Sequence, residues 1–287
     1  ENGKYILASS WGRGIYLYDF QNKILSPVDA NPKAPYININ DIFQQGDSLW
    51  FSSNIGLVLY SLSQNKFLNI PFPALVKAIN GSEVTSFTMN KYEAFAGTYH
   101  GVIKYNLKTN TIEWFTKENG KLPANPCFRL YADKAGNIWI SAQSAALVYY
   151  QSLTQKIVWY DAKKGIAEGN IEDITEQADG SILFSSRGNG VYKITHPLAS
   201  DENIKLLTAA DGLASNRVYS LFTDSDGYTW FSASNGLSVF NPGDSRYYSF
   251  YKEDGLLQDD IFGRCAEISK GHIVLPLKYG FTIINRD

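Results

Sequence analysis

A short pattern that recurs seven times along the chain is the strongest constraint on its fold. The pattern is an aromatic or aliphatic residue, a hydrophobic residue, two small residues, a short variable stretch, a glycine and a hydrophobic residue, as in WFSASNGLSVF. Repeats of this length predict a series of similar units, each of which buries its apolar surface against the next copy. The copies begin 43 to 47 residues apart, at Leu7, Trp50, Phe95, Trp139, Leu183, Trp230 and Val274.

Each repeat carries the signals of four short strands. In the sixth copy, RVYSLFTD leads into the turn from Asp224 to Gly227, and the Trp230 strand, GLSVFN and RYYSFYK follow. Asp at the start of such a turn can accept hydrogen bonds from the following backbone, and Gly at its end can take a positive φ. Asp133 and Gly136 repeat this turn in the fourth copy. Four antiparallel strands in about 40–45 residues are typical of one blade of a β-propeller.

The repeats therefore predict an all-β fold: a seven-bladed β-propeller with four-stranded antiparallel blades, forming a single domain over residues 1–287. The sequence has no room for a first strand before Leu7 and none for a fourth strand after Ile284. We therefore expect incomplete blades at both ends and a longer parent polypeptide. The best candidate for a helix is PALVKAI, from Pro73 to Ile79, within a loop.

The tryptophans of the second strands are the predicted centre of the core. Trp50, Trp139 and Trp230 would lie between neighbouring blades, where a ring of this size buries roughly 150–250 Å². The small residues that follow them, such as Ser52 and Ser141, would let adjacent sheets approach closely.

Charge and residue usage argue against several classes of function. The 287 residues include 26 basic and 28 acidic side chains, with a formal net charge of −2, whereas nucleic-acid binding requires a basic surface. No apolar run reaches the roughly 18 residues that a membrane-spanning helix needs. Because His100, His196 and His272 fall in three different copies, we expect no histidine metal site, and we expect no cofactor.

The two cysteines are predicted to be free thiols. Cys127 lies in the fourth copy and Cys265 in the seventh. A disulfide requires Cα atoms within about 7 Å, which blades so far apart in a propeller do not offer. Both side chains are expected to be buried.

The sixth copy resembles a known family. DGLASNRVYSLFTDSDGYTWFSASNGLSVFNP, residues 211–242, is similar to the regulatory propeller repeats in the periplasmic sensor regions of hybrid two-component systems. DGLLQDDIFGRCAEISKGHIVLPLKYGFTIINRD, residues 254–287, resembles the last blade of such a region. The resemblance implies a periplasmic part of an inner-membrane protein, with a histidine kinase elsewhere in the parent chain. It also implies glycan fragments as the class of ligand, and the parent protein could form a homodimer.

Three functions are compatible with this pattern. The first is ligand sensing for signal transduction, most naturally of a small molecule or an oligosaccharide. The second is a structural or dimerising propeller whose ligand site lies elsewhere in the parent chain. The third is a propeller lyase or hydrolase, which would need two facing carboxylates; Glu172, Asp173 and Glu176 are the candidates, although each could equally be a surface charge. We expect this chain itself not to be an enzyme.

Candidate ligand-binding residues come from the turns between second and third strands. By analogy with other propellers, these turns share one face with the loops between blades. Aromatic rings beside Arg, Asn and Lys suit a polyhydroxylated or anionic ligand, although any of these residues could also be an ordinary solvated loop residue. The candidates are Trp11, Arg13, Tyr99, His100, Arg187, Asn189, Asn235, Lys278 and Tyr279.

A second set of polar residues lies in the first strands, which line the central channel of a propeller. Residues seven positions before the turn glycines 136, 180, 227 and 271 are Arg129, Asp173, Ser220 and Arg264. They could form an anion-accepting channel mouth. Alternatively they could form ion pairs between blades, for example Arg129 with Asp173, because isolated buried charge is costly.

Overall fold

The computed structural model describes residues 4–9, 14–19, 21–28, 37–143, 146–278 and 280–286. Their strands form seven antiparallel sheets, which we number in chain order, and neighbouring strands within each sheet are consecutive in sequence. The chain divides into two units, residues 1–130 and 131–287. The single domain over residues 1–287 stays a prediction.

The first unit contains sheets 1 to 3 and one helix. Sheet 1 has β1 (Lys4–Ser9), β2 (Gly14–Asp19) and β3 (Ile24–Pro27). Sheet 2 has β4 (Ile39–Gln45), β5 (Ser48–Ser53), β6 (Gly56–Ser61) and β7 (Lys66–Leu68). Helix α1 (Pro73–Ile79) follows. Sheet 3 has β8 (Ser86–Met89), β9 (Glu93–Thr98), β10 (Gly101–Asn106) and β11 (Ile112–Phe115).

The second unit contains sheets 4 to 7, and the boundary between the units falls within the first strand of sheet 4. Sheet 4 has β12 (Cys127–Ala132), β13 (Ile138–Ala142), β14 (Ala146–Gln151) and β15 (Lys156–Tyr160). Sheet 5 has β16 (Ile171–Glu176), β17 (Ile182–Ser186), β18 (Gly190–Thr195) and β19 (Asn203–Leu207). Sheet 6 has β20 (Val218–Thr223), β21 (Thr229–Ala233), β22 (Gly236–Asn241) and β23 (Arg246–Phe250). Sheet 7 has β24 (Ala266–Ser269), β25 (His272–Leu277) and β26 (Gly280–Asn285). Single turns of 3-10 helix lie at Ala162–Lys164, Ala209–Asp211 and Lys252–Asp254.

Sheets 2 to 6 confirm the predicted all-β propeller with four-stranded antiparallel blades. Sheets 1 and 7 have only three strands each, so the prediction of seven four-stranded blades is wrong in its count, and five blades are complete. β1 contains the repeat position Leu7 and therefore corresponds to a second strand of the repeat. Within the described residues, sheet 1 thus has no counterpart of a first strand and sheet 7 has none of a fourth, as the sequence at both ends predicts.

The tryptophans of the second unit lie between neighbouring sheets, as predicted. Trp139 is fully buried and packs with Phe184 and Tyr192 of sheet 5. Trp230 is also buried and packs with Ile273 of sheet 7. Each ring therefore belongs to an interface between two sheets rather than to the interior of one.

An aspartate in the preceding turn holds each of these two rings. Oδ2 of Asp133 accepts a hydrogen bond from Nε1 of Trp139 at 3.1 Å, and Oδ2 of Asp224 accepts one from Nε1 of Trp230 at 2.9 Å. Oδ1 of Asp133 accepts the backbone N–H of Asn137 at 2.8 Å, as predicted for a turn aspartate. The same carboxylate thus closes the turn and satisfies a buried indole, and the second role was missed by the sequence analysis.

Trp50 occupies the equivalent position in sheet 2 without such an aspartate. Gln44 stands six residues before Trp50. The buried Nε1 of Trp50 has no hydrogen-bond acceptor among the described residues. Its ring stacks on Phe72 and Phe87, with centroid distances of 5.5 and 4.8 Å. Here the ring is positioned by aromatic packing.

Helix α1 closes one side of the core around Trp50, and its position confirms the predicted helix. Pro73 occupies the first turn, where the missing N–H costs nothing. Leu75 and Ile79 are buried and join the Trp50 cluster. Asn80, with φ of 48°, ends the helix in the left-handed conformation.

Small residues after the tryptophan position bring the sheets close together, as predicted. Ser52 and Ser141 are fully buried, and Oγ of Ser141 donates a hydrogen bond to the carbonyl of Ile171 in sheet 5 at 3.1 Å. Gly97 takes this place in sheet 3, where a Cβ would lie only 2.9 Å from Sγ of Cys127. A side chain at Gly97 would therefore push the neighbouring strand away.

Cys127 and Cys265 are both buried free thiols, which confirms the prediction. Burial in apolar surroundings raises the pKa of each thiol to about 12. Among the described residues, neither α1 nor any 3-10 turn has the length and apolar character needed to cross a membrane.

We expect Trp139→Ala to lower the free energy of unfolding by about 3–5 kcal/mol, because it empties the interface between sheets 4 and 5. Trp159→Ala is the matched control, since that ring is 37% exposed and should cost less than half as much. Urea titration measures both values. A loss below about 1 kcal/mol for Trp139→Ala would contradict its place in the core.

Neither thiol should react with an aromatic disulfide reagent in the folded protein at about pH 8. A thiol with a pKa of about 12 is ionised to only about one part in 10⁴ at that pH. Both should react once urea unfolds the chain. Fast labelling of the native protein, or a 127–265 bridge in non-reducing peptide mapping, would contradict the buried free thiols.

Candidate functional site

In the first unit, the candidates Tyr99 and His100 lie in the turn between β9 and β10, and both are exposed. The ring of Tyr99 contacts Phe128 edge to face, with centroids 6.2 Å apart. Oγ1 of Thr98 accepts the backbone N–H of His100 at 3.1 Å, which fixes the turn. Tyr99 is thus a supported aromatic ring with one open side, whereas His100 is placed by its backbone alone.

In the second unit, Arg187 and Asn189 share the turn between β17 and β18. The side chain of Arg187 is 56% exposed, and its Nε lies 2.9 Å from Oε1 of Glu172. Nδ2 of Asn189 donates to the carbonyl of Glu168 at 3.1 Å and to Oγ of Ser186 at 3.2 Å. Asn189 therefore ties the turn to the preceding loop, and Arg187 is the member of the pair that faces solvent.

The remaining described candidates lie in two other turns of the second unit. Asn235 is exposed and lines a shallow depression of about 640 Å³ together with Lys252 and Asp259. The backbone N–H of Gly236 donates to the carbonyl of Asp259 at 2.7 Å and so fixes this turn. Lys278 is exposed in the turn between β25 and β26. Three further candidates lie outside the described residues, or outside the described side chains: Trp11, Arg13 and Tyr279.

An aromatic pair beside Arg187 was missed by the sequence analysis. Tyr219 and Phe262 meet edge to face with centroids 5.0 Å apart, and Phe262 is 59% exposed. The guanidinium of Arg217 lies 5.4 Å from the centroid of the Tyr219 ring. Burial and the negative charge of Asp260 raise the pKa of the Tyr219 hydroxyl, whereas the positive charges of Arg217 and Arg187 oppose this shift.

These side chains make one group at the loop end of sheets 5 to 7. Arg187 comes from a turn between second and third strands, and the others come from the starts of first strands or the loops before them. The signal that could have identified them was the predicted placement of both kinds of loop on one face. We call the group the rim cluster, and its members are Glu172, Arg187, Arg217, Tyr219, Asp260 and Phe262.

The first strands of the first unit carry a buried polar network. Oδ1 of Asp41 lies 2.8 Å from Nη1 of Arg129, and both side chains are buried. Oδ2 of Asp41 accepts the hydroxyl of Ser86 at 2.5 Å, and Oγ of Ser86 accepts the backbone N–H of Leu130 at 3.0 Å. A β-bulge between Ile39 and Asp41 marks the position. The sequence analysis had not included Asp41 or Ser86.

The second unit has residues of the same types, Asp173, Ser220 and Arg264, which stand 132, 134 and 135 residues after Asp41, Ser86 and Arg129. Unlike Ser86, Ser220 makes no hydrogen bond through its Oγ among the described residues. Oδ1 of Asp173, which is fully buried, accepts a hydrogen bond from Nη2 of Arg264 at 3.0 Å. Its Oδ2 accepts the backbone N–H of Leu221 at 3.1 Å.

The two networks support the ion-pair interpretation of the first-strand residues. In each unit an arginine binds a carboxylate of the sheet two places earlier, and in the first unit the hydroxyl of Ser86 also binds that carboxylate. The predicted pairing of Arg129 with Asp173 would join the two units and stays a prediction. The anion-accepting channel mouth also stays a prediction.

The three carboxylates considered for catalysis have other contacts. Glu172 binds Arg187, and Asp173 binds Arg264. Oε2 of Glu176 accepts the backbone N–H of Lys134 at 2.7 Å, which joins sheets 4 and 5. In the part of the chain that the structure describes, no group of three or more His, Cys, Asp or Glu side chains could hold a metal ion.

We expect Arg264→Met to lower the free energy of unfolding by about 2 kcal/mol or more, because it removes the cation beside a fully buried carboxylate. Arg246→Met is the control, since Arg246 lies exposed at the start of β23. Urea titration at neutral pH compares the two variants. If the two variants were equally stable, the Asp173–Arg264 pair would contribute nothing to the free energy of unfolding.

Comparison with known proteins confirms the resemblance in the sixth copy. Residues 212–235 match the family described as two component regulator propeller. A histidine kinase of Formosa agariphila is 24% identical over 264 residues, which are 87% of this chain and 19% of the kinase. The chain therefore carries a regulator propeller repeat and spans about a fifth of this relative.

Two solved structures have the same fold. The extracellular domain of a hybrid two-component system from B. thetaiotaomicron matches with a TM-score of 0.79 at 18% identity, over 99% of this chain and 38% of that one. The extracellular domain of a second such system from the same organism gives a TM-score of 0.73 at 15% identity, over 97% of this chain and 37% of that one.

Proposed function

We propose that this chain is the ligand-sensing propeller of a two-component signalling protein. The regulator propeller repeat at residues 212–235 supports the signalling role. The two similar structures are extracellular domains, which supports an extracytoplasmic, periplasmic location. A histidine kinase elsewhere in the parent chain would act on the signal, and no catalytic step is assigned to this chain. A homodimer of the parent protein would be a natural way to transmit the signal.

The rim cluster is the observation that carries the ligand-sensing proposal. It combines an exposed aromatic ring, Phe262, with the exposed guanidinium of Arg187. An aromatic face offers an apolar platform, and a guanidinium donates paired hydrogen bonds. The carboxylates of Glu172 and Asp260 add acceptors within the same group.

This chemistry suits a glycan fragment better than a purely anionic ligand. The rim cluster has two arginines and two carboxylates, so its positive charge is balanced. A sugar presents an apolar ring face together with hydroxyl groups that both donate and accept, and mixed donors and acceptors beside an aromatic ring match that pattern. We therefore propose oligosaccharides as the class of ligand.

A thermal-shift screen of the isolated protein against an oligosaccharide panel tests the proposal. A ligand at about 100 times its dissociation constant should add about 2.7 kcal/mol of stability. Arg187→Ala should weaken binding of the best ligand by about 1–3 kcal/mol and leave the melting temperature of the free protein nearly unchanged. Arg246→Ala, which removes an exposed arginine from the opposite end of β22 and β23, should bind normally.

The outcomes separate the three functions. No shift with any glycan would favour a structural or dimerising propeller with the ligand site elsewhere in the parent chain. Turnover of a glycan would favour a lyase or hydrolase.

The candidate ring of the first unit has its own test. If Tyr99 binds a glycan, Tyr99→Ala should weaken that binding by about 1–3 kcal/mol, because it removes a stacking ring. Tyr92→Ala is the control, since Tyr92 is 53% exposed and lies in the turn at the other end of β9. Isothermal titration measures both. Unchanged affinity in Tyr99→Ala would show that Tyr99 takes no part in ligand binding.

A further inference from the structure

A shallow depression of about 640 Å³ lies at the loop end of sheet 6. Its walls come from the turn between β21 and β22, the 3-10 turn after β23 and the loop that follows that turn. Both walls therefore lie within residues 235–259. The lining residues are Asn235, Tyr251, Lys252, Glu253 and Asp259.

The depression adjoins the rim cluster on two sides. In one wall, Asp259 stands three residues before Phe262 of the cluster, so that their Cα atoms are at most about 11 Å apart. In the other wall, Asn235 follows Ser234, whose backbone N–H donates to the carbonyl of Arg217 at 3.0 Å. An oligosaccharide that covers the rim cluster would therefore reach the depression, whereas a single sugar would occupy only one of the two places.

Tyr251 stands where other turns of this kind carry a capping residue. Oδ1 of Asp161 accepts the backbone N–H of Lys163 at 2.9 Å, and Oγ1 of Thr208 accepts that of Ala210 at 3.2 Å. Among the described residues, the side chain of Tyr251 makes no such bond, and its half-buried ring lines the depression. This copy thus carries an aromatic ring in place of a stabilising cap, and such departures from a local rule are expected at functional sites.

Asp259 also differs from its counterpart in the preceding loop. Oδ1 of Asp259 accepts the backbone N–H of Lys252 at 2.6 Å. Oδ1 of Asn216 makes the equivalent bond to the N–H of Ala209 at 2.8 Å in the loop before sheet 6. An amide is therefore sufficient for the structural role. The carboxylate offers a charged acceptor instead, and hydrogen bonds to a charged acceptor are the stronger kind.

The walls of the depression are joined by backbone contacts. The N–H of Gly236 donates to the carbonyl of Asp259 at 2.7 Å. A Cβ at Gly236 would lie 2.7 Å from the carbonyl oxygen of Phe250 and 3.0 Å from Cδ1 of Tyr251, so the Tyr251 ring packs closely against this turn. The ring and the carboxylate are therefore held in place by the loops that carry them.

We propose that the depression is an outer subsite for the next sugar residue of an oligosaccharide bound at the rim cluster. The ring of Tyr251 packs on the apolar face of that sugar, Asp259 accepts hydrogen bonds from its hydroxyl groups, and the amide of Asn235 donates to them. The lining has one basic residue, Lys252, and two carboxylates, Glu253 and Asp259, which favours a neutral sugar over an acidic one. The inference rests on the proposed ligand-sensing function.

Two variants give the depression the residues found in the preceding loop. Tyr251→Thr restores the cap that Thr208 provides there, and Asp259→Asn restores the amide of Asn216. Both variants should therefore fold, which thermal melting checks. The probes are neutral glucan, xylan, mannan and galactan oligosaccharides, each from the monosaccharide to the hexasaccharide, and an oligogalacturonide series of the same lengths.

Isothermal titration of the native protein should show an affinity for one neutral series that rises at least about tenfold from the shortest ligand that binds to the longer ones. Each variant should remove most of that rise and leave binding of the shortest ligand unchanged. Arg187→Ala should weaken short and long ligands alike. Asp161→Thr, the matched control, exchanges one cap for another in the turn after sheet 4 and should bind every length as the native protein does.

The outcomes distinguish this subsite from the ligand-sensing function. If Arg187→Ala weakens binding but Tyr251→Thr and Asp259→Asn bind every length normally, the function stands and the outer subsite is wrong. An affinity that does not depend on length would overturn the subsite in the same way. Tighter binding of the oligogalacturonides would contradict a neutral ligand. If no oligosaccharide binds the native protein, the glycan-sensing function fails together with the subsite.

Discussion

Each sheet of this protein has an apolar face that it cannot bury alone, and most of the structure follows from that constraint. The hairpin of β21 and β22 contributes Trp230, Leu237 and Val239, which are covered only when sheet 7 packs on them. The same need explains why a large ring and a small residue stand side by side on the second strands. The ring fills the interface, and the small residue lets the next strand come close enough to be contacted.

Burying carboxylates among these sheets requires compensation, and the first strands provide it. The carboxylate of Asp173 is reached by the guanidinium of Arg264 and by two backbone N–H groups, those of Ile174 and Leu221. Such a charge would be costly if it were isolated. β-bulges lie beside both Asp41 and Asp173, and a bulge redirects the side chain that it carries. Ion pairs and irregular backbone thus occur together at the same position of the repeat.

The sequence correctly predicted the features that follow from the regular spacing of the repeat. The spacing of the copies located all the second strands, the buried tryptophans and the free cysteines. Contacts between copies were harder to predict, because the spacing of the repeat does not show which neighbouring sheet a long side chain reaches. Arg264 binds a residue of the sheet two places earlier, and nothing local in GRCAEIS indicates that choice. The rim cluster was missed for a related reason: Tyr219 stands at the same repeat position as Phe128 and Glu172, but the period does not show that Phe262, from the loop before the next sheet, lies beside it.

The hydrogen bond between the turn aspartate and the indole has a consequence for how the copies drift apart during evolution. Where Asp133 and Asp224 are present, a tryptophan follows six residues later; where Met89 and Gln177 stand instead, the later residues are Phe95 and Leu183. Losing the aspartate alone would leave a buried N–H without an acceptor, at a cost of about 1–3 kcal/mol. Losing the tryptophan alone would leave a carboxylate that still closes the turn. Mutations at the two positions are therefore not neutral in either order, and the aspartate is the less costly of the two to lose first, because losing the tryptophan also empties an interface, at a cost of about 3–5 kcal/mol. Trp50, with Gln44 before it, is the exception, and its ring stacks with two phenylalanines, Phe72 and Phe87.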